Sequence, residues 1–148
     1  MSGNIDKQAA LEQKINELVQ QSRVLEAYLS DVVSKETTVA KLLEEAKLAS
    51  SAIQSINTSD QSVESLTPVG IGVYMKVMIP KVDKLLVNVG SGVAVEKSRD
   101  ETLNYVESRI KDYEIAMRQL SNQHQQISLR MEQLQHQINQ LLHQNRQG

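Results

Sequence analysis

Apolar side chains recur along this chain at two different periods. Stepping alternately by four and three from Leu11 gives Leu11, Ile15, Leu18, Ser22, Leu25, Leu29, Val32, Glu36, Val39, Leu43, Ala46, Ser50 and Ile53, of which ten of 13 are apolar. A period near 3.5 residues marks a helix that buries a narrow seam against another helix. Ser22, Glu36 and Ser50 interrupt the seam. Polar seam residues lower stability but can fix register or partner choice. A second series runs Leu103, Val106, Ile110, Tyr113, Met117, Leu120, His124, Ile127, Met131, Leu134, Ile138 and Leu141, and only His124 departs among these 12. The remaining faces of that segment are polar, and ten of the chain's 16 Gln lie between Gln119 and Gln147. Gln is a fair, uncharged helix former, so a solvated helical face is expected there.

The breakers of regular structure are concentrated elsewhere. Apart from Gly3 and Gly148, every Gly and Pro falls between Pro68 and Gly92. Two helices are therefore predicted, from about Gln8 to Ile56 and from about Ser98 to Gln144, each on the order of 70 Å long at ~1.5 Å per residue. Ser98 followed three residues later by Glu101 is a capping box at the second start. If the intervening segment returns the chain to its starting point, the helices pair antiparallel within one chain. The competing arrangement is a parallel coiled coil between chains.

The centre, 57–97, changes to strand character. Thr58 to Ser62 is a polar connector. Val63–Leu66, Val73–Ile79, Leu85–Val89 and Val93–Glu96 are short, rich in β-branched residues and partly alternating. Pro68 to Gly72, Pro80 to Asp83 and Gly90 to Gly92 separate them, which predicts two β-hairpins. The second strand is apolar on both faces, with Val73, Met75, Val77 and Ile79 opposite Tyr74 and Met78. Such strands expose edges and apolar surface that normally meet another sheet. Oligomerisation through this region is expected, with Val73, Tyr74, Met75, Val77, Ile79, Leu85, Val87 and Val89 as its residues. The fold class is α+β: a long coiled-coil hairpin (1–56 and 98–148) carrying two central β-hairpins (57–97).

Composition sharpens this picture. The 148 residues include no Cys, Trp or Phe, and four Tyr are the only aromatics. A compact core of this size normally uses large rings, so rods fit better than a globule. Absence of Cys excludes disulfides, thiolate metal sites and a cysteine nucleophile. The net charge of -2 does not point to nucleic acid or an anionic membrane. No apolar run approaches the roughly 18–20 residues of a membrane span, and no signal pattern opens the chain, so a cytoplasmic protein is expected.

Several motifs fall short of chemistry. Glu96-Lys97-Ser98 follows a Gly-rich turn but lacks the phosphate-loop spacing, so no nucleotide cofactor is expected. His136 and His143 lie two turns apart, roughly 10 Å along a helix, too far to share one metal ion. The sequon Asn57-Thr58-Ser59 lacks a secretory context. No convergent catalytic arrangement is present, so an enzyme is not expected. An RNA-binding helical arm would want a basic face, yet residues 99–148 hold six basic and six acidic residues. A structural coiled-coil scaffold or tether is the alternative to a binding function.

Leu66-Thr67-Pro68-Val69-Gly70-Ile71-Gly72-Val73-Tyr74 and the stretch from Asp83 to Lys97, set between two heptad helices, resemble prefoldin over essentially the whole chain. Two hairpins resemble the α-class subunit, because β-class subunits carry one. Val93-Ala94 departs from the larger aromatic pair often found there. The resemblance implies a hexamer of two α and four β-class subunits whose hairpins form intersubunit β-barrels. It also implies capture of unfolded client proteins at the ends of the coiled-coil arms, without nucleotide, and delivery to a group II chaperonin. A homomeric filament-forming relative is the other form the family allows. Both chain termini would lie at the arm end, which makes Ile5, Leu11, Ile15, Ile138, Leu141 and Leu142 the candidate client contacts. A coiled coil frays at its end, and seam residues there can show apolar surface.

Overall fold

The computed structural model describes residues 2–56 and 59–147. Asn57 and Thr58, which open the expected connector and the sequon, lie outside them. The element order is α1 (Ser2–Gln54), β1 (Val63–Gly70), β2 (Val73–Ile79), β3 (Lys84–Gly90), β4 (Val93–Ser98) and α2 (Arg99–Gln147). Two long antiparallel helices thus flank two hairpins. Both helices exceed their expected bounds at the chain ends. Nothing in the first residues breaks α1, and Gly3 is tolerated in a first turn whose N–H groups need no intrahelical partner.

The heptad reading accounts for burial along both helices. All 13 seam positions of α1 and all 12 of α2 are buried or half-buried. The helices fall within two compact units. The helical unit joins α1 up to Lys41 with α2 from Ile115 onward. Its core is Leu18, Leu134 and Ile138, with Val19, Leu25 and Leu141 packed against them. Leu134 is 0% exposed, and full burial of such a side chain contributes about 1.5–3 kcal/mol. Leu18 meets Leu134 and Ile138, while Glu36 meets His124 further along. Numbers rising on α1 as they fall on α2 define the antiparallel sense.

The hairpin unit is Leu42–Glu114. Ile53 and Val87 are its buried apolar residues, alongside buried Ser50 and Thr102. Thr102 is satisfied by donating its hydroxyl to the Ser98 carbonyl at 2.7 Å. The Glu101 N–H donates to Ser98 Oγ at 3.1 Å, which places Ser98 as the N-cap of α2.

The strands form two separate two-stranded antiparallel sheets, β1 with β2 and β3 with β4. Val63 faces Ile79 at one end of the first, and Lys84 faces Ser98 at one end of the second. Each hairpin closes on a two-residue turn, Ile71-Gly72 and Ser91-Gly92, with positive φ at both positions. Turns of this hand match the twist of the strands. Each turn is preceded by a register shift ending at Gly70 or Gly90. Asn88 Oδ1 accepts from the Gly90 N–H at 3.0 Å and supports the second bend. β1 is longer than its sequence pattern predicts. It continues past Leu66 through Pro68 to Gly70. β1 has no second neighbour in its sheet, and a proline without an N–H is admitted on such an edge.

Candidate functional site

Two surfaces carry the residues that the sequence singles out. The first is where the two chain ends meet in the helical unit. Asn4, Lys7, Gln8 and Leu11 of α1 line a shallow groove with Gln144 and Asn145 of α2. Continuing the heptad steps outward from Leu11 and Leu141 reaches Gln8, Asn4 and Asn145. The seam therefore turns polar in its last layers, and Leu11 and Leu141 form its last apolar one. Leu11, Ile15 and Leu141 are half-buried and Ile138 is buried. Ile138 belongs to the core cluster and Leu141 packs against it. Ile5, 69% exposed, and Leu142, 39% exposed, lie off the seam and face water. Accessible apolar surface at the helix ends thus comes from residues beside the seam.

The sequence reading missed further apolar side chains of the helical unit. Val24, Tyr28, Val33, Ile115 and Leu129 are exposed. Val24 borders a shallow groove with Gln20, Gln21, Leu25, Arg130 and Leu134. Their only sequence signal is an apolar residue outside the seam. It also missed that the polar interruptions Glu36 and His124 meet, with His124 Nδ1 2.6 Å from Glu36 Oε1.

The second surface is the pair of hairpins. Alternation along paired strands assigns the faces. In the first hairpin, Val63, Ser65, Thr67, Met75, Val77 and Ile79 share one face, and Glu64, Leu66, Pro68, Tyr74, Lys76 and Met78 share the other. Both faces carry apolar groups. Lys76 Nζ lies 3.8 Å from Glu64 Oε1 among exposed Leu66, Tyr74 and Met78. In the second hairpin, Leu85, Val87, Val93, Val95 and Lys97 share a face, opposite Lys84, Leu86, Asn88, Ala94, Glu96 and Ser98, so most of the apolar residues are on the first face. Of the expected oligomerisation residues, Val77, Ile79 and Leu85 are half-buried and Val87 is buried, while Val73, Tyr74, Met75 and Val89 are exposed. The exposed ones lie toward the turns. Ile71 heads the first turn, fully exposed and at φ 44°.

Elsewhere in the hairpin unit, Leu42, Ala46, Ala49, Tyr105, Val106, Arg109 and Tyr113 border a groove. The Arg109 guanidinium stands 5.4 Å from the centre of the Tyr105 ring. Hydrogen bonding to Tyr105 is the largest cause that raises the Arg109 pKa above its ordinary value. Among the described residues, no cluster of three or more His, Asp or Glu could hold a metal ion. Gln140 and Gln147 stand 3.2 and 3.1 Å from the rings of His136 and His143. No described helix is long and apolar enough to cross a membrane.

Comparison with known proteins agrees with this architecture. The family model described as "Prefoldin subunit" matches residues 11–144. Prefoldin subunit alpha of Nitrosopumilus maritimus is 35% identical over 120 residues, covering 81% of this chain and 82% of that protein. Prefoldin subunit alpha of Pyrococcus horikoshii is 31% identical over 112 residues, covering 68% and 76%. Among solved structures, the prefoldin beta subunit from Thermococcus strain KS-1 superposes with a TM-score of 0.62 at 20% identity, over 86% of this chain and 90% of that one. The filamentous PFD from Methanocaldococcus jannaschii gives 0.63 at 22% identity, over 82% and 98%. Paired helices, two hairpins and these matches together place the chain in the prefoldin family, a family of non-enzymatic chaperones, as a subunit of the alpha class.

Proposed function

We propose that this subunit captures unfolded polypeptides at its paired helix ends and assembles through its hairpins. The partners are β-class subunits, two alpha with four beta, and the clients pass to a group II chaperonin without nucleotide. The observation that carries the reading is apolar surface in two separate places. Ile5 and Leu142 are exposed at the helix ends. Leu66, Tyr74, Met75, Met78 and Val93 are exposed on the hairpins, where apolar groups line both faces of the first. A hairpin of two strands is marginal by itself and gains from completion by another sheet. Weak capture at several helix ends adds up through effective concentration, which suits clients with no fixed shape. Val24 and Leu129 extend the apolar surface of the same unit.

The assembled complex should suppress aggregation of a refolding client, read by light scattering. Deleting both helix ends, or combining Ile5→Ser with Leu142→Ser, should weaken that suppression. No suppression, or suppression unchanged by the deletion, would sink the capture mechanism. A scaffold or tether needs no exposed ends and predicts no crosslink between unfolded client and positions 5 and 142.

A further inference from the structure

The two polar interruptions that meet across the helices follow a pattern. Every seventh seam position of α1 reads Ile15, Ser22, Leu29, Glu36, Leu43, Ser50, alternating apolar with polar. The corresponding row of α2 reads Leu103, Ile110, Met117, His124, Met131, Ile138. Each row has one ionisable residue, and the two residues face each other at 2.6 Å with both side chains partly buried. With the ring proton on Nδ1, His124 donates to the Glu36 carboxylate. Moving either helix by one heptad would set Glu36 against Met117 or Met131, and His124 against Leu29 or Leu43. A carboxylate facing a thioether loses its hydrogen-bond partner while most of its surface stays shielded from water. A parallel pairing of α1 with α1 from a second copy would bring two Glu36 carboxylates together, and α2 with α2 would bring two His124 rings together. The two carboxylates would be like charges at a seam, which is disfavoured, and each ring would lose its carboxylate partner.

We propose that the Glu36–His124 contact is a pairing-specificity device. It directs α1 onto its own chain's α2, antiparallel and in this register, against pairing of two copies through equivalent helices. Its contribution is discrimination more than stability, since a partly exposed ion pair contributes little and apolar residues pack a seam at least as well. Every other position of the two facing rows is apolar or a small hydroxyl, and a heptad shift would still match those.

The chain has no Cys, so one introduced thiol reports pairing cleanly. Val32 is a buried α1 seam residue, and Val32→Cys forms an interchain disulfide when two α1 helices lie parallel in register. The full chain is refolded from denaturant and oxidised in three backgrounds: native, Glu36→Leu with His124→Leu, and the exchange Glu36→His with His124→Glu. The leucine background should melt higher than the native one and give about tenfold more interchain disulfide, the ratio that about 1.4 kcal/mol of preference produces. The exchanged background should crosslink as little as the native one. Equal crosslinking in the native and leucine backgrounds would overturn the proposal. So would a leucine variant that melts lower than native, which would make the pair a stability element, or an exchange that crosslinks like leucine.

Discussion

Arg99, the first residue of α2, closes the end of α1: its Nε–H donates to the Ile53 carbonyl at 3.1 Å, and Nη2–H donates to the Gln54 carbonyl at 2.7 Å. The last carbonyls of a helix have no intrahelical partners and carry partial negative charge. α1 has no basic residue in its own last turn. A cation from the start of the other helix supplies it, and the forked guanidinium reaches two carbonyls at once.

Arg99→Ala should therefore destabilise the hairpin unit by about 1.5–3 kcal/mol, the range for hydrogen bonds to a charged group. Arg99→Lys should recover only part, because one ammonium cannot reproduce the fork. Denaturant unfolding measures both, and hydrogen exchange should place the loss in the last turn of α1.

Leu134→Ala should cost about 2–4 kcal/mol, because Leu134 is fully buried against Leu18 and Ile138 and the space cannot fully close. Leu142→Ala, eight residues on but facing water, should stay within about 0.5 kcal/mol. Thermal and denaturant melts of the two variants give the contrast. Equal effects would contradict the heptad assignment of this end.

Ile71 combines a β-branched side chain with positive φ and full exposure. The left-handed region costs a β-carbon roughly 1–2 kcal/mol, and Asn tolerates it better. Ile71→Asn should leave the chain as stable or stabilise it by up to about 1 kcal/mol in thermal melts. A loss of assembly without a loss of stability in the same variant would identify the Ile71 side chain as a subunit contact.

Tyr74→Asp with Met75→Asp places a charge on each face of the first hairpin, where Tyr74 and Met75 are both exposed. An unpaired charge in a desolvated interface costs about 3–5 kcal/mol. Ultracentrifugation with partner subunits should show loss of the assembly. Far-UV circular dichroism should retain the helical signal, because neither residue touches the seams.

Much of this fold was legible in the order of residues. Each of the heptad positions read from Leu11 and from Leu103 is shielded, including the polar Ser22, Glu36, Ser50 and His124. Strand positions and both turns were legible too, although Pro68 concealed the second half of β1. The candidate contacts were harder. Leu11, Ile15, Ile138 and Leu141 sit on the seam, whereas exposure belongs to Ile5 and Leu142. Periodicity tells which face a residue shares. It does not tell where the last apolar layer ends, because Asn4, Gln8 and Asn145 complete the seam with polar groups.

The sequence by itself determined the elements and their faces, since each follows from a repeat a few residues long. Tertiary structure decided which distant residues meet. Glu36 and His124 are 88 positions apart, and Arg99 reaches a carbonyl 46 positions back. Neither contact leaves a local signature, because helix register and capping across the hairpin depend on where two rods stop relative to each other. The same holds for the aromatic shortage. Its cause, seams and sheets filled by Leu, Ile, Val and Met, is local. Apolar groups on both faces of β2 were legible too; pairing of the strands decided that Val73, Tyr74, Met75 and Val89, toward the turns, are the exposed ones.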